Sequence, residues 1–394
     1  MSGPKSLVSV ADKPLFAEAK PTCNLYRPDI ESFLEYSHAF YSTGRYSNAE
    51  LCRTLELRLA EFHEVKRVIS VTSGFWAHVL AMSALALPER REIVAPAFGY
   101  RRTDDMIAWA GYVPHFCDVS SATLAVTADT VKAELNDKTA LILAPHPMVN
   151  CCEAEGIERL GRSHGIPVVF DSVEAAYRSY NGRRIGGFGD AEGFSMHAPK
   201  LFNSFEGGYV ATNNTQLADR LDRMKFWGLA CDVDRGGRAL DASLNEMHAA
   251  MALASLDGVE EQIHLHRRKY ELYAEGLRNL DGLDLVEHEQ AQHPDYRLIV
   301  VRISESWPFS RDETLRRLQA ENALARPYYY SLAEKRVEYE RICPNLPVTA
   351  AIASTLMVLP SGAHVSDRDV EKIIELLIAI RRIAQEPSSP RKSV

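Results

Sequence analysis

Between residues 65 and 212 short apolar runs recur, separated by stretches with helical spacing, and this rhythm limits what the chain can fold into. Val68-Ile69-Ser70-Val71, Ile93-Val94-Ala95, Ala140-Leu141-Ile142-Leu143, Val168-Val169-Phe170 and Gly208-Tyr209-Val210-Ala211 read as strands. Runs without polar alternation suit a sheet covered on both faces. Trp76 to Leu85 and Glu153 to His164 supply helical patterns between them. The alternation predicts an α/β protein with a doubly wound, mainly parallel sheet, whose ligands sit beyond the carboxyl ends of the strands.

Near residue 245 the pattern changes to one long helical stretch, Asn245 to about Leu280, in which Gly258 is the only glycine before Gly276. After His293-Pro294, Tyr296 to Ile303 reads as a strand. Ser310-Arg311-Asp312-Glu313 has the spacing of a capping box for a helix through about Glu321, and Ser366 to Asp369 opens a last helix through about Ala384. The expected organisation is a large domain over 1–255, a small α+β domain over 256–386 and a disordered tail over 387–394. Residues 1–45 are expected to form an arm that packs near the small domain or a partner.

The chemistry concentrates at the carboxyl ends of these strands. Val168 to Phe170 runs into Asp171, and Lys200 closes Gly193-Phe194-Ser195-Met196-His197-Ala198-Pro199-Lys200, shortly before Gly207-Gly208. Each residue alone is commonplace, since an Asp there often caps a helix and a lysine is usually solvated. Together with a serine and a glycine-rich turn they match what pyridoxal phosphate needs. A lysine amine forms a Schiff base with it, a carboxylate keeps its pyridine nitrogen protonated, and donors surround its phosphate. Ser73-Gly74, where the first strand turns into the Trp76 helix, offers the phosphate a helix N-terminus.

Phe194 to Lys200 followed by Asn203-Ser204-Phe205-Glu206-Gly207-Gly208 resembles the signature of the DegT/DnrJ/EryC1/StrS aminotransferases, fold type I enzymes that aminate keto sugars on nucleotide carriers. Tyr46-Ser47-Asn48, Pro96-Ala97-Phe98, Asn150-Cys151-Cys152, Asn245-Glu246, Ser310-Arg311-Asp312, Arg326-Pro327-Tyr328-Tyr329 and Leu359-Pro360 follow in the family's order. The resemblance implies Lys200 as the Schiff-base lysine and proton shuttle, Asp171 as the pyridine partner, Ser195 as a phosphate ligand and Tyr100 as a ring stacked on the cofactor. It further implies Gly74, Phe75, Trp76 and Glu174 beside the cofactor, and Arg326, Tyr328 and His197 as substrate contacts. It implies a homodimer, glutamate as amino donor, pyridoxamine phosphate as the aminated cofactor, and a nucleotide-linked keto sugar or other keto compound as acceptor, in a specialised or surface-sugar biosynthetic pathway.

Several positions depart from the family pattern. Phe75-Trp76 stand where it has a small hydroxyl residue and a small apolar one, and Glu174 where it commonly has Gln or His. Asp241 falls in a loop that normally lends an Asn to the neighbouring subunit's phosphate. A carboxylate beside a phosphate dianion is unfavourable. These departures leave open a lyase, dehydratase or cyclase using the same cofactor, or a non-catalytic relative. Composition narrows the partners: 45 basic against 53 acidic residues, a net charge of −8, argue against a nucleic-acid or anionic-membrane surface. A polar N-terminus, the absence of a roughly 20-residue apolar run and seven scattered cysteines lead to the expectation of a cytoplasmic protein with reduced thiols. No metal site is expected. The stretch His264 to Lys269 reads as a solvated helix face.

Overall fold

The computed structural model describes residues 13–226, 240–329 and 346–383. Its larger sheet has seven strands in the order β1-β9-β8-β5-β4-β2-β3. These are β1 (Arg67–Val71), β2 (Glu92–Pro96), β3 (Val113–Cys117), β4 (Thr139–Pro145), β5 (Val168–Asp171), β8 (Ala191–Ser195) and β9 (Gly208–Thr212), with the short pair β6 (Ser179–Tyr180) and β7 (Arg183–Arg184) apart from them. β9 runs antiparallel to both its neighbours, whereas the pairings from β8 to β3 are parallel. The other six strands therefore point one way, and their carboxyl ends form one edge. β1, β2, β4, β5 and β9 fall on the five expected runs.

Two strands were not legible. β3 carries Pro114 and His115, which an edge strand with one open side tolerates. β8 contains Glu192 and Gly193, which look like a turn. Gly193 is there because a Cβ would lie 2.5 Å from His78 Nε2. Glu192 is buried and clamps the preceding loop: its Oε1 accepts the N–H groups of Gly186 at 2.7 Å and Phe188 at 2.6 Å, and its Oε2 bonds Ser172 Oγ.

Helices cover both faces of this sheet. α1 (Ile30–Tyr41) and α2 (Glu50–Phe62) precede β1. α3 (Gly74–Leu85), α4 (Thr103–Ala110), α5 (Ala128–Lys132), α6 (Ala154–His164) and α7 (Thr215–Lys225) alternate with the strands. The long stretch from Asn245 is two helices, α8 (Glu246–Asp257) and α9 (Val259–Leu277), which corrects the single expected helix. Gly258 is the joint, because the Tyr26 hydroxyl occupies the place of its missing side chain, 2.4 Å from where a Cβ would stand. The His264 to Lys269 stretch on α9 is likewise not one solvated face. His266 and Lys269 are buried, with His266 Nε2 bonded to Asn24 Oδ1 at 2.8 Å and Lys269 Nζ donating to the Gly362 carbonyl at 2.6 Å.

A second, antiparallel sheet follows in the order β10-β11-β13-β12, built from β10 (Leu283–Leu285), β11 (Ile299–Ile303), β12 (Arg326–Pro327) and β13 (Leu356–Leu359). β11 is shorter than expected, because Tyr296 adopts a left-handed φ of 51°. α10 (Arg311–Ala320) starts where the capping spacing said, with Ser310 Oγ accepting the Glu313 N–H at 3.2 Å. α11 (Pro347–Ala353) and α12 (Asp367–Ile383) complete the unit, and Ser366 caps the latter. The tail 387–394 lies outside the described residues.

Burial pushes the Glu192 carboxyl up to about 7, against the pull of its hydrogen bonds. Its folded form thus binds a proton that the unfolded chain releases at lower pH, so this stabilisation is complete in mild acid and is lost as pH rises through about 7. Gln at this position keeps the carbonyl acceptor and substitutes N–H donors for the acid proton. Glu192→Gln is expected to flatten the decline in stability between about pH 4.5 and about pH 7, measured by urea unfolding at each pH.

Candidate active site

Three strand ends and one helix start meet at the carboxyl edge. β5 ends at Asp171, β8 ends at Ser195, and β1 passes through Ser73 into α3. Ser73 is the N-cap, its Oγ accepting the Trp76 N–H at 3.3 Å. Gly74 packs so tightly on β8 that a Cβ would stand 2.6 Å from Ser195 Cβ, and one on Gly208 would stand 2.4 Å from Gly74 N. The two glycines let the first turn of α3 press against β8 and β9, with its unsatisfied N–H groups at the cavity wall.

A cavity of about 590 Å³ opens there, and Asp171, Glu174, Ser195 and Lys200 line it together with the α3 N-terminus. Asp171 is paired from below, with Oδ1 lying 3.3 Å from His78 Nε2 and accepting the Val173 N–H at 3.3 Å. His78 Nδ1 lies 2.7 Å from the Gly74 carbonyl, which can only accept, so Nδ1 carries a proton. Burial opposes charge on both groups, but their mutual attraction wins. Asp171 is held below the usual carboxylate range and His78 is raised. Nearby His146 differs: burial pushes it down to about 3, and its Nδ1 accepts the Cys152 N–H at 3.2 Å.

Lys200 Nζ lies 2.5 Å from Glu174 Oε1, and the other oxygen of Glu174 pairs with Arg297. Burial alone would raise the Glu174 carboxyl, yet the Lys200 and Arg297 cations hold it far below its ordinary value. Ser195 Oγ accepts the His197 N–H at 3.3 Å, which leaves its own proton free to donate.

Phe75 and Trp76 form one wall. Their rings meet edge to face at 5.3 Å, Trp76 meets Trp109 at 5.5 Å, and the Arg102 guanidinium lies 5.5 Å from the Phe75 centroid. Tyr100, 43% exposed, and His197 also line the cavity. Three expected residues do not line it. Arg326 turns away, its Nε donating to Thr22 Oγ1 at 3.0 Å. Tyr328 is buried behind the wall, stacked on Phe98 at 5.3 Å with its hydroxyl accepting the Met148 N–H at 2.7 Å, and Tyr329 reaches the cavity in its place. Asp241 is exposed and pairs through its backbone with Phe226; the expectation for it concerned a neighbouring subunit's site.

Sequence reading missed His78, His146, Arg297 and Tyr329. His78 had a signal, since it lies four residues beyond Gly74 on the helix that starts at the cavity, and Gly193 clears its path to Asp171. Arg297 had none, because it arrives from the other sheet.

A charge-backed carboxylate, an amine within the same cavity and a glycine-cushioned helix N-terminus fit the pyridine ring, the carbonyl and the phosphate of pyridoxal phosphate. A buried His78 Nε2 that finds no hydrogen bond beyond its approach to Asp171 fits the same polarity. Such a site on this sheet defines a fold type I, pyridoxal-phosphate-dependent enzyme. Residues 29–378 match the DegT/DnrJ/EryC1/StrS aminotransferase family, and the chain belongs to that family. It is 28% identical to the GDP-perosamine synthase of Vibrio cholerae over 81% of this chain and 87% of that protein. It is 24% identical to the dTDP-4-amino-4,6-dideoxy-D-glucose transaminase of Shigella dysenteriae, over 94% and 100%. Its fold is similar to that of DesI, solved in the presence of its TDP-sugar product, with a TM-score of 0.87, 27% identity and coverage of 94% and 95%.

A methyl group at Gly208 has no room beside the Gly74 backbone. Gly208→Ala is expected to lower stability by roughly 1–3 kcal/mol and to weaken binding of pyridoxal phosphate, read from thermal unfolding and from titration with the cofactor.

Proposed function

We propose that this aminotransferase moves an amino group from an amino acid, glutamate in the first instance, to the keto group of a hexose carried on a nucleoside diphosphate. The observation that carries this reading is the shared cavity of Lys200, Asp171 and the α3 N-terminus. The names of the relatives, a perosamine synthase and a 4-amino-4,6-dideoxyglucose transaminase, support a 4-keto-6-deoxy sugar as the acceptor.

When bound, pyridoxal phosphate supplies a carbonyl that takes up the donor's nitrogen and a ring that accepts the electrons of the neighbouring C–H bond. Asp171, kept ionised by His78, holds the proton on the pyridine nitrogen. Lys200 Nζ removes the proton at the carbon bearing nitrogen and returns it on the other side of the transfer. Ser195 Oγ, with its free hydroxyl proton, and the first N–H groups of α3 hold the phosphate, Gly74 giving close backbone approach. Phe75 and Trp76 replace the usual hydroxyl with an apolar wall that excludes water, and Tyr100 covers a face of the ring. Glu174 holds the Lys200 amine when it is free. His197 contacts the acceptor. Arg326 and Tyr328 do not reach the acceptor; they support the wall that Tyr329 lines, Arg326 Nη1 donating to the Tyr328 carbonyl at 3.0 Å.

The protein is further read as a cytoplasmic homodimer with a large domain over 1–255 and a small one over 256–386. Tyr41, Tyr46 and Met247 are exposed apolar side chains on or beside α1 and α8, exposed Phe205 adjoins Glu206 of the cavity and meets Phe33 of α1 edge to face at 6.0 Å, and a second copy would cover them. Among the described residues no helix is long and apolar enough to cross a membrane.

The test is conversion of a dTDP- or GDP-linked 4-keto-6-deoxyhexose with glutamate. One amino sugar is expected per glutamate consumed, and Lys200→Ala is expected to lower turnover by about 10²–10⁴-fold. Full turnover in that variant, or no amination of either acceptor, defeats the reading. Sedimentation velocity at micromolar concentration is expected to give a dimer.

A further inference from the structure

Glu174 faces two cations. Its Oε1 lies 2.5 Å from Lys200 Nζ, and its Oε2 pairs with Arg297 Nη2. Arg297 comes from the segment that leads into β11, and its side chain is 5% exposed. It is fixed from several sides. Its Nη1 donates to the carbonyl of Pro199 at 3.4 Å, next to Lys200, and its backbone N–H donates to Asp295 Oδ1 at 3.1 Å. Asp295 lies 3.6 Å from Arg178, which is fully buried and donates to the Pro147 carbonyl at 2.9 Å. An alternating row of charges thus runs from Lys200 through Glu174, Arg297 and Asp295 to Arg178.

The order of signs matters for the amine. Only a neutral lysine is a nucleophile or a base, and a carboxylate 2.5 Å away favours the ammonium form. A guanidinium does not lose its proton in proteins, so the charge on Arg297 is permanent. It draws part of the Glu174 charge away from Lys200 and pins the carboxylate in the geometry that reaches Nζ. The other titratable or charged groups lining the same cavity are Asp171 with His78 behind it, His146 after β4, Tyr100 and Arg102 ahead of α4, Tyr329 from beyond β12, and His197 and Glu206 on the segment around Lys200 itself.

We propose that Arg297 is a positioning residue for the amine chemistry of this site: by holding one oxygen of Glu174 it sets the other against Lys200 Nζ and limits how firmly that carboxylate keeps the lysine protonated. The proposal rests on the reading of Lys200 as the reactive lysine. It makes the reactivity of an amine at the edge of the larger sheet depend on a residue delivered by the smaller one.

The test reads the amine directly in the full chain freed of cofactor. Trace acetylation of Lys200 by acetic anhydride, followed by mass spectrometry across a pH series, reports the neutral fraction and needs neither cofactor nor turnover. Arg297→Met is expected to raise the pH of half-maximal labelling by about one unit and Glu174→Gln to lower it. In the Glu174→Gln background the Arg297→Met change is expected to shift the profile less than it does alone, because Arg297 acts chiefly through Glu174. Arg297→Lys, which keeps the charge, is expected to stay closer to the wild-type profile than Arg297→Met. An unshifted profile in a folded Arg297→Met, or an Arg297→Met shift of the same size with and without Glu174, overturns the proposal. If Arg297→Met does not fold, Arg297→Gln, which removes the charge and keeps a donor, takes its place in both comparisons. Failure of the aminotransferase reading would show separately, as absent amination with these labelling shifts intact.

Discussion

A carboxylate at the end of a buried strand has to be kept charged, and the pairing of Asp171 with His78 does this. Burial opposes ionisation of both groups, so neither would hold its charge alone. The pairing dictates the surrounding structure. α3 must start beside β5 for its fifth residue to face Asp171, β8 must have glycine at 193 to leave room for the imidazole, and the helix start must lie against β8 and β9, which needs glycine at 74 and 208. The same placement turns the helix N-terminus toward the cavity. Stabilising one negative charge thus creates the positive end that an anionic cofactor requires.

The two sides of the cavity handle charge differently. At the Asp171 side a single histidine backs a single carboxylate. At the Lys200 side Glu174, Arg297, Asp295 and Arg178 form an alternating row in which every interior charge has an opposite neighbour. A row of this kind avoids the cost of an unpaired buried ion. It also spans the two sheets, since Arg297 and Asp295 belong to the segment ahead of β11.

Much of the fold was readable because burial on both faces removes polar alternation from central strands. Five strands and the capped starts of α10 and α12 followed from that pattern and from Ser-x-x-acid spacing. β8 was not readable because its Glu192 and Gly193 serve contacts made by residues distant in sequence. The break at Gly258 was hidden for the same reason, since it depends on Tyr26 arriving from the N-terminal segment. In the candidate site, Lys200, Asp171, Ser195 and the Ser73-Gly74 turn were visible as residue types at strand ends. The substitution of Tyr329 for Tyr328 at the wall was not, because adjacent residues point to opposite sides and only packing chooses between them.

By itself the sequence determined the α/β architecture, the strand ends at which chemistry could sit, and the family whose motifs those ends carry. These depend on local periodicity and on short spacings, which a chain records directly. Tertiary structure alone decided the partners of each charge: His78 beneath Asp171, Arg297 on Glu174, and Arg326 turned toward Thr22 and away from the cavity. Electrostatic pairing depends on distances of a few ångströms between residues more than a hundred positions apart, as Glu174 and Arg297 are, and only the packed chain sets such distances.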